Sequence, residues 1–208
     1  MTAEGVAVDG VAVDPTAAEV TRDRLIRSAA AVLSRRGYTE ARLQEIAAAA
    51  DLKAPAVYYH FASRDALISA ALREGQILVR RHVLAALDAL GPAATDRERI
   101  AAAVEAHLRL ELELSDLASA VVRTASHTPP HIRAEIDADI AAYYEVWRDL
   151  LAAAHAHGVL RPELNLSVVR MLVLGLLNWS TEWRTPQTPV DAVVANAQAL
   201  VQRALFAD

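Results

Sequence analysis

Residues 37–67 read GYTEARLQEIAAAADLKAPAVYYHFASRDAL, and the fold follows from how this stretch divides. Leu43, Ile46, Ala47 and Ala50 recur at helical spacing, which gives a first short helix over about Arg42–Ala49 a single buried face. The pattern breaks at Asp51-Leu52-Lys53, and Pro55 suits the first turn of a second helix over Ala54–His60. Leu52 and Val57 are placed to pack beneath the turn, with Phe61 anchoring the exit, while the small Ala47 and Ala48 let the two helices approach closely. Two short helices on a tight turn, the second running out in Val-Tyr-Tyr-His-Phe, form a helix-turn-helix layout.

That layout directs attention to the outer side of the second helix, where Lys53, Pro55, Ala56, Tyr58, Tyr59 and His60 fall. Tyrosine hydroxyls and a histidine can donate to phosphate oxygens, and a small alanine lets the backbone approach a thymine methyl. Arg42 and Arg64 stand at helix starts beside the same face, where backbone N–H groups also favour phosphate. The other reading of Tyr58-Tyr59-His60 is an aromatic stripe that fills a core. Because neighbours on a helix cannot face the same way, one tyrosine is expected to pack inward and at least two of the three to touch DNA. Lys53 reads more readily as a solvated side chain than as a base reader.

Outward from this stretch the chain is helical wherever it is periodic. Residues 1–15, MTAEGVAVDGVAVDP, have no helical period and read as a disordered tail. A helix over about Thr16–Arg36 buries Leu25, Ile26, Ala29, Ala30, Val32 and Leu33, and Gly37 closes it. Ser63 caps the next helix with Asp65 in its positive first turn, and Gly91-Pro92 stops it after Leu90. Further helices are expected over Thr95–Leu112, Ser115–Ser126, Pro129–His157, Leu166–Arg184 and Pro189–Phe206, punctuated by glycine and proline. No segment shows strand alternation flanked by turn signals. The expected fold is all-α, with a helix-turn-helix unit at 16–67 and a second unit at 68–208 whose first helix, 68–90, is the connector.

The bulk chemistry agrees with such a division. The 208 residues are 54% hydrophobic and 23% charged, enough for a real core. The net charge is −5, but unevenly spread: Thr16–Leu90 carries eleven Arg/Lys against eight Asp/Glu, and Gly91 onward ten against fifteen. A weakly basic N-terminal segment on an acidic body fits a small DNA reader joined to another unit. The absence of cysteine excludes disulfide and thiolate chemistry and suits a reducing cytoplasm. No basic region followed by an apolar run opens the chain, so no signal peptide is expected; the most apolar stretch, Val168–Leu177, is too short to span a bilayer and contains Arg170. No nucleophile elbow, phosphate loop, zinc-protease motif or dinucleotide fingerprint is present, which argues against an enzyme. His127 and His131 straddle Pro129-Pro130, and His155 and His157 point to different faces, so neither a metal nor a cofactor is expected.

Gly37-Tyr38, Ile46-Ala47, the Tyr58-Tyr59-His60-Phe61 run and the following Arg64, Ala66 and Leu67 resemble the TetR family of repressors. The resemblance implies a three-helix DNA-binding domain, a larger ligand domain and a homodimer that reads a palindromic operator in double-stranded DNA. The family usually has Thr or Ser where Ala41 and Arg42 stand, which moves the expected phosphate contact to Arg42. Glycine is usual at the places of Asp51 and Pro55, so Asp51 must adopt the turn at some cost. In the C-terminal half, Tyr144, Trp147, Gly158-Val159-Leu160-Arg161 and Gly175-Leu176-Leu177-Asn178-Trp179 with Trp183 resemble TetR regulators that answer to acyl-CoA thioesters of fatty-acid or sterol breakdown. That branch usually has an aromatic residue where Arg184 stands, so the pocket rim differs.

The residues themselves leave the ligand open. Trp179 and Trp183 lie one turn apart on one face, and Asn178 and Arg170 add polar groups to an otherwise apolar helix, as in a ligand pocket. Both tryptophans fit a dimer seam equally well. Arg170 meets a ligand anion, an acidic side chain or solvent, and Arg123 and His127 are candidates of the same kind. Leu166–Leu177 is apolar nearly all round, so a partner should cover one side of it, with the last two helices pairing as a four-helix bundle. A multidrug-responsive repressor is the alternative within the family, and a helical small-molecule-binding protein without DNA binding is the alternative outside it.

Overall fold

The computed structural model describes residues 16–207; the tail expected at 1–15 lies outside them. Among the described residues there are nine α-helices and no strand, only an isolated antiparallel bridge between Leu160 and Phe206. α1 (Ala17–Glu40) starts at a capping box, with Thr16 and Glu19 satisfying each other's backbone N–H groups. It is kinked at Gly37, whose φ of 69° gives up the helix for one residue before a last turn. α2 (Leu43–Ala49) and α3 (Ala54–Val57) follow, and between them Asp51 takes φ 54°, the one non-glycine left-handed residue among those described. α4 (Arg64–Ala89) is capped by Ser63, and α5 (Asp96–Arg109) opens on a second capping box from Thr95 and Glu98.

The helix expected over Thr95–Leu112 is not uniform. At Leu110–Leu114 it widens into a π-turn, in which Ser115 N–H donates to Leu110 C=O at 3.0 Å. α6 (Asp116–Thr124), α7 (Pro130–Ala156), α8 (Leu166–Trp183) and α9 (Val190–Leu205) complete the chain.

Two cores are stacked along α4. The first gathers Leu25, Leu33, Ile46, Val57, Phe61, Leu67 and Leu72, and is closed by Ala120 of α6 and Ile132, Ile136 and Ile140 of α7. The second holds Val83, Val104, Leu108, Trp147, Leu151, Leu177, Val194 and Phe206. With 26 residues, α4 is roughly 39 Å long, so one rigid rod serves both cores. Where it crosses α6 the backbones nearly touch: a Cβ on Gly75 would stand 2.4 Å from the carbonyl oxygen of Leu117. Only the missing side chain allows that approach.

Candidate DNA interface and ligand-domain core

The helix-turn-helix is assembled from the inside. Ile46, Ala47, Ala50, Val57 and Phe61 are buried, and Leu52 N–H donates to Ala47 C=O at 2.8 Å to close the turn. The second helix is shorter than its pattern predicts. After Val57 the chain tightens into i→i−3 bonds, Tyr58 N–H to Pro55 C=O and Tyr59 N–H to Ala56 C=O, both at 3.3 Å. That change of pitch alters where the tyrosines point. One was expected to turn inward, yet Tyr58 is 58% and Tyr59 89% exposed, because a tighter coil carries both past the core while Phe61 fills it.

Around this tip Arg42, Lys53 and Pro55 are exposed, and Ala56 and His60 are half-buried. Arg42 is the N-cap of α2 and its side chain makes no capping bond. Arg64, expected to contact phosphate, has intramolecular partners in this structure. Its Nε donates to Ala41 C=O at 2.6 Å, another nitrogen donates to Tyr38 C=O, and a third pairs with Asp65 at 3.0 Å. The guanidinium lies 4.6 Å from the centre of the Tyr38 ring. Arg64 therefore ties the start of α4 to the loop before α2. Tyr38 in turn donates to Asp65 at 3.0 Å; burial, then that hydrogen bond, raises its hydroxyl pKa above the ordinary value, so it remains a donor.

Asp65 also reaches α7, where His131 Nε2 lies 3.2 Å away. Ser69 bonds Glu135, Arg73 pairs with Asp139 at 3.0 Å, and Ser34 donates to Asp116 at 2.9 Å. A polar seam thus links α4 and α1 to α7 and α6, and Arg64 carries it to the carbonyls ahead of α2.

The C-terminal half places the other candidates in three settings. Trp179 and Trp183 are 65% and 49% exposed and line an apolar cleft of about 390 Å³ between α8 and α9, with Leu176, Val193 and Leu200. They continue a stripe of exposed Val168, Met171, Leu172 and Leu176 along α8. Arg170 and Tyr144 are half-buried together, the guanidinium 5.6 Å from the ring centre, and Arg170 Nε lacks a partner; Asn178 is also half-buried. Arg123 sits 4.0 Å from Glu182, with Arg184 in a small groove between α6 and α8. His127 is exposed at the end of that segment and bonds Ser126 at 3.0 Å. Trp147 alone is wholly buried, in packed core rather than on a cleft wall.

Residues 25–71 match the model of bacterial regulatory proteins of the tetR family, and residues 93–201 match that of the tetracyclin repressor-like C-terminal domain. The chain belongs to the TetR family. No curated protein matches it, but solved structures do. AibR in complex with isovaleryl coenzyme A and operator DNA is 22% identical over 89% of this chain and 100% of its own, with a TM-score of 0.78. The ketosteroid transcriptional regulator KstR2 of Mycobacterium tuberculosis is 21% identical over 90% and 95%, with a TM-score of 0.73. The fatty acid degradation regulator FadR from Bacillus halodurans is 19% identical over 87% and 94%, at 0.72.

As a TetR-family transcriptional regulator, the protein holds a group of buried polar residues that sequence reasoning passed over. His107 and Glu111 are both buried, and His107 Nδ1 is 2.6 Å from the Tyr143 hydroxyl. Their signal was weak: a histidine and a glutamate four apart in HLRLELEL, where the strict alternation of leucines and charges hides the helical spacing of the two. Glu111 lies four residues after His107, so it continues the buried face of α5. Among the described residues no group of metal-ligating side chains gathers, and no helix is long and apolar enough to cross a membrane.

Proposed function

We propose that this TetR regulator is a homodimeric repressor that holds a palindromic operator through its paired α3 tips and releases it when an acyl-CoA thioester occupies the C-terminal unit. The observation that carries the DNA half is Tyr59, 89% exposed at the end of a helix-turn-helix whose apolar side is otherwise sealed. In this reading residues 16–67 are the DNA-binding unit and 68–90 the connector, with Arg42, Lys53, Pro55, Ala56, Tyr58 and His60 around Tyr59. The exposed α8 stripe supports pairing of α8 and α9 with those of a second copy, since so much contiguous apolar surface is costly in water. The pair would set two tips roughly 35 Å apart, one turn of DNA.

The ligand half rests on the likeness to AibR bound to isovaleryl coenzyme A and to regulators of ketosteroid and fatty acid degradation. Release requires the ligand to bind the DNA-incompetent conformer more tightly, not merely to bind. The seam from α7 through Asp65 and Arg64 to the loop before α2 offers a route for that difference. The test is binding to a labelled duplex from upstream of the protein's own gene, titrated with acyl-CoA thioesters beside the matching free acids. Release by one CoA ester but not by its acid is expected. Tight binding indifferent to every CoA compound would leave a repressor with some other ligand, and no salt-dependent duplex binding at all would remove the DNA reading.

A further inference from the structure

Five glycines stand among the described residues, and four have a visible reason to be glycine. Gly37, Gly91 and Gly158 take φ of 69°, 72° and 71°, the left-handed region where a side chain is strained. Gly75 has no room for a side chain against the Leu117 carbonyl of α6. Gly175 has neither reason. It lies in the interior of α8, outside the left-handed region, and a Cβ there would meet nothing within 4 Å among the described residues. Glycine is the poorest residue after proline for a helix interior, because it surrenders the most backbone freedom. Within one subunit nothing offsets that cost.

The surroundings of Gly175 show what could. It is exposed at the middle of the α8 stripe, with exposed Met171 and Leu172 one turn before it, Leu176 beside it and Trp179 one turn after. Large side chains on both sides leave a notch whose floor is backbone. No exposed residue of α8 from Ser167 to Trp179 is charged. The two charged side chains of the helix are engaged elsewhere: Arg170 lies over the Tyr144 ring, and Glu182 is 4.0 Å from Arg123.

The lack of charge bears on which partner fits. In a pair related by a two-fold axis, residues at the axis meet their own copies, so a charge there would face a like charge. A charge-free apolar face with a notch at its centre can be laid upon itself. Nucleic acid, by contrast, would ask this face for cations.

We propose that the α8 helices of two copies cross at Gly175, backbone against backbone, with the two-fold axis passing between the paired glycines. This rests on the reading that the protein is a homodimer through α8 and α9, and adds to it the point of closest approach. Small residues let helix axes come nearer than the roughly 8–10 Å usual with larger side chains. Met171, Leu172 and Trp179 of each copy then close around the crossing and leave water.

The chain has no cysteine, so a single introduced thiol in the full-length protein reports the crossing without background. Gly175→Cys should give a disulfide-linked dimer on mild oxidation, since a disulfide needs Cα atoms within roughly 7 Å. Val168→Cys, about two turns away on the same stripe, should not, because crossing helices diverge. Gly175→Ala is an independent reading. On a solvent-facing helix this change favours the helix and leaves association alone. At the crossing it drives two methyl groups together, and the dimer dissociation constant from sedimentation equilibrium should rise at least about tenfold. A Cβ at Gly175 meets nothing of its own subunit, so both Gly175 variants should keep the helical circular dichroism of the wild type.

A cross-link that fails at Gly175, or forms as fast at Val168, would overturn the crossing and leave the homodimer in place. So would a dimer unchanged or tightened by Gly175→Ala. A wild-type protein that sediments as a monomer at every concentration would overturn both the crossing and the dimer. Cross-linking at Gly175 in a dimer that binds no duplex would spare the crossing and remove the DNA reading.

Discussion

The two cores stacked along α4 are finished to different degrees. The five buried side-chain polar atoms without partners, among the described residues, belong to His107, Glu111, Trp147, Arg170 and Ser180, all in the C-terminal half. Around the helix-turn-helix the comparable groups are satisfied: Arg64 is bound on three sides and Tyr38 has Asp65. The exposed apolar surface divides similarly. The N-terminal half exposes Tyr58 and Tyr59 side by side at one tip and Val20, Ile77 and Leu90 singly elsewhere, whereas α8 exposes Val168, Met171, Leu172, Leu176, Trp179 and Trp183 along its length. A region that reads DNA must keep its shape alone, and this one is closed by its own side chains. The C-terminal half is left with unmet polar groups and a contiguous apolar stripe, which on the proposed function is where a second copy and a ligand would add their contacts.

This contrast can be broken by experiment. The largest effect is expected from Leu172→Glu with Leu176→Glu: charges in the α8 stripe should turn a dimer into a monomer in sedimentation and remove measurable operator binding with it. A dimer that survives both charges would mean that α8 is not the seam. Tyr59→Ala should weaken operator binding at least about 30-fold, two lost contacts per dimer at about 1–3 kcal/mol each. Its melting temperature should stay near wild type, because the side chain packs on almost nothing. A large drop in melting temperature would show that the N-terminal tip is structural.

Smaller effects sharpen the joint between the regions. Gly75→Ala forces a methyl against the backbone of α6, 2.4 Å from Leu117 O, and should cost about 1–3 kcal/mol in denaturant unfolding. A gain instead would mean that α4 and α6 slide apart freely. Smallest is Asp51→Gly, which removes a left-handed aspartate at φ 54° and should stabilise by about 0.5–1 kcal/mol. No gain there would mean that the aspartate side chain compensates its own backbone strain.

Much of the fold was legible because helices announce themselves locally. Gly37, Ser63, Thr95 and Gly91-Pro92 are punctuation, and apolar spacing between them sets each buried face. Pro55 and the break at Asp51 placed the turn of the helix-turn-helix. The misreading of the tyrosines has a cause in a change of helical pitch: after Val57 the coil tightens and sends both outward. Periodicity analysis assumes constant pitch, so it misassigns a face wherever that assumption lapses. The intramolecular partners of Arg64 were not legible for another reason. A charged residue at a helix start looks the same whether its partners are phosphates or two carbonyls more than twenty residues away in the chain.

By itself, then, the sequence determined the helices, their order, the helix-turn-helix and the apolar excess on α8, since these depend on residues a few places apart. Only the tertiary structure decided that Arg64 bonds the carbonyls of Tyr38 and Ala41, that Gly75 lets α4 touch α6, and that His107 and Glu111 of one segment meet Tyr143 of another inside the core. Those facts are distances between groups on different helices, and burial gives them their energy: a polar atom has no unmet need until packing has taken away its water.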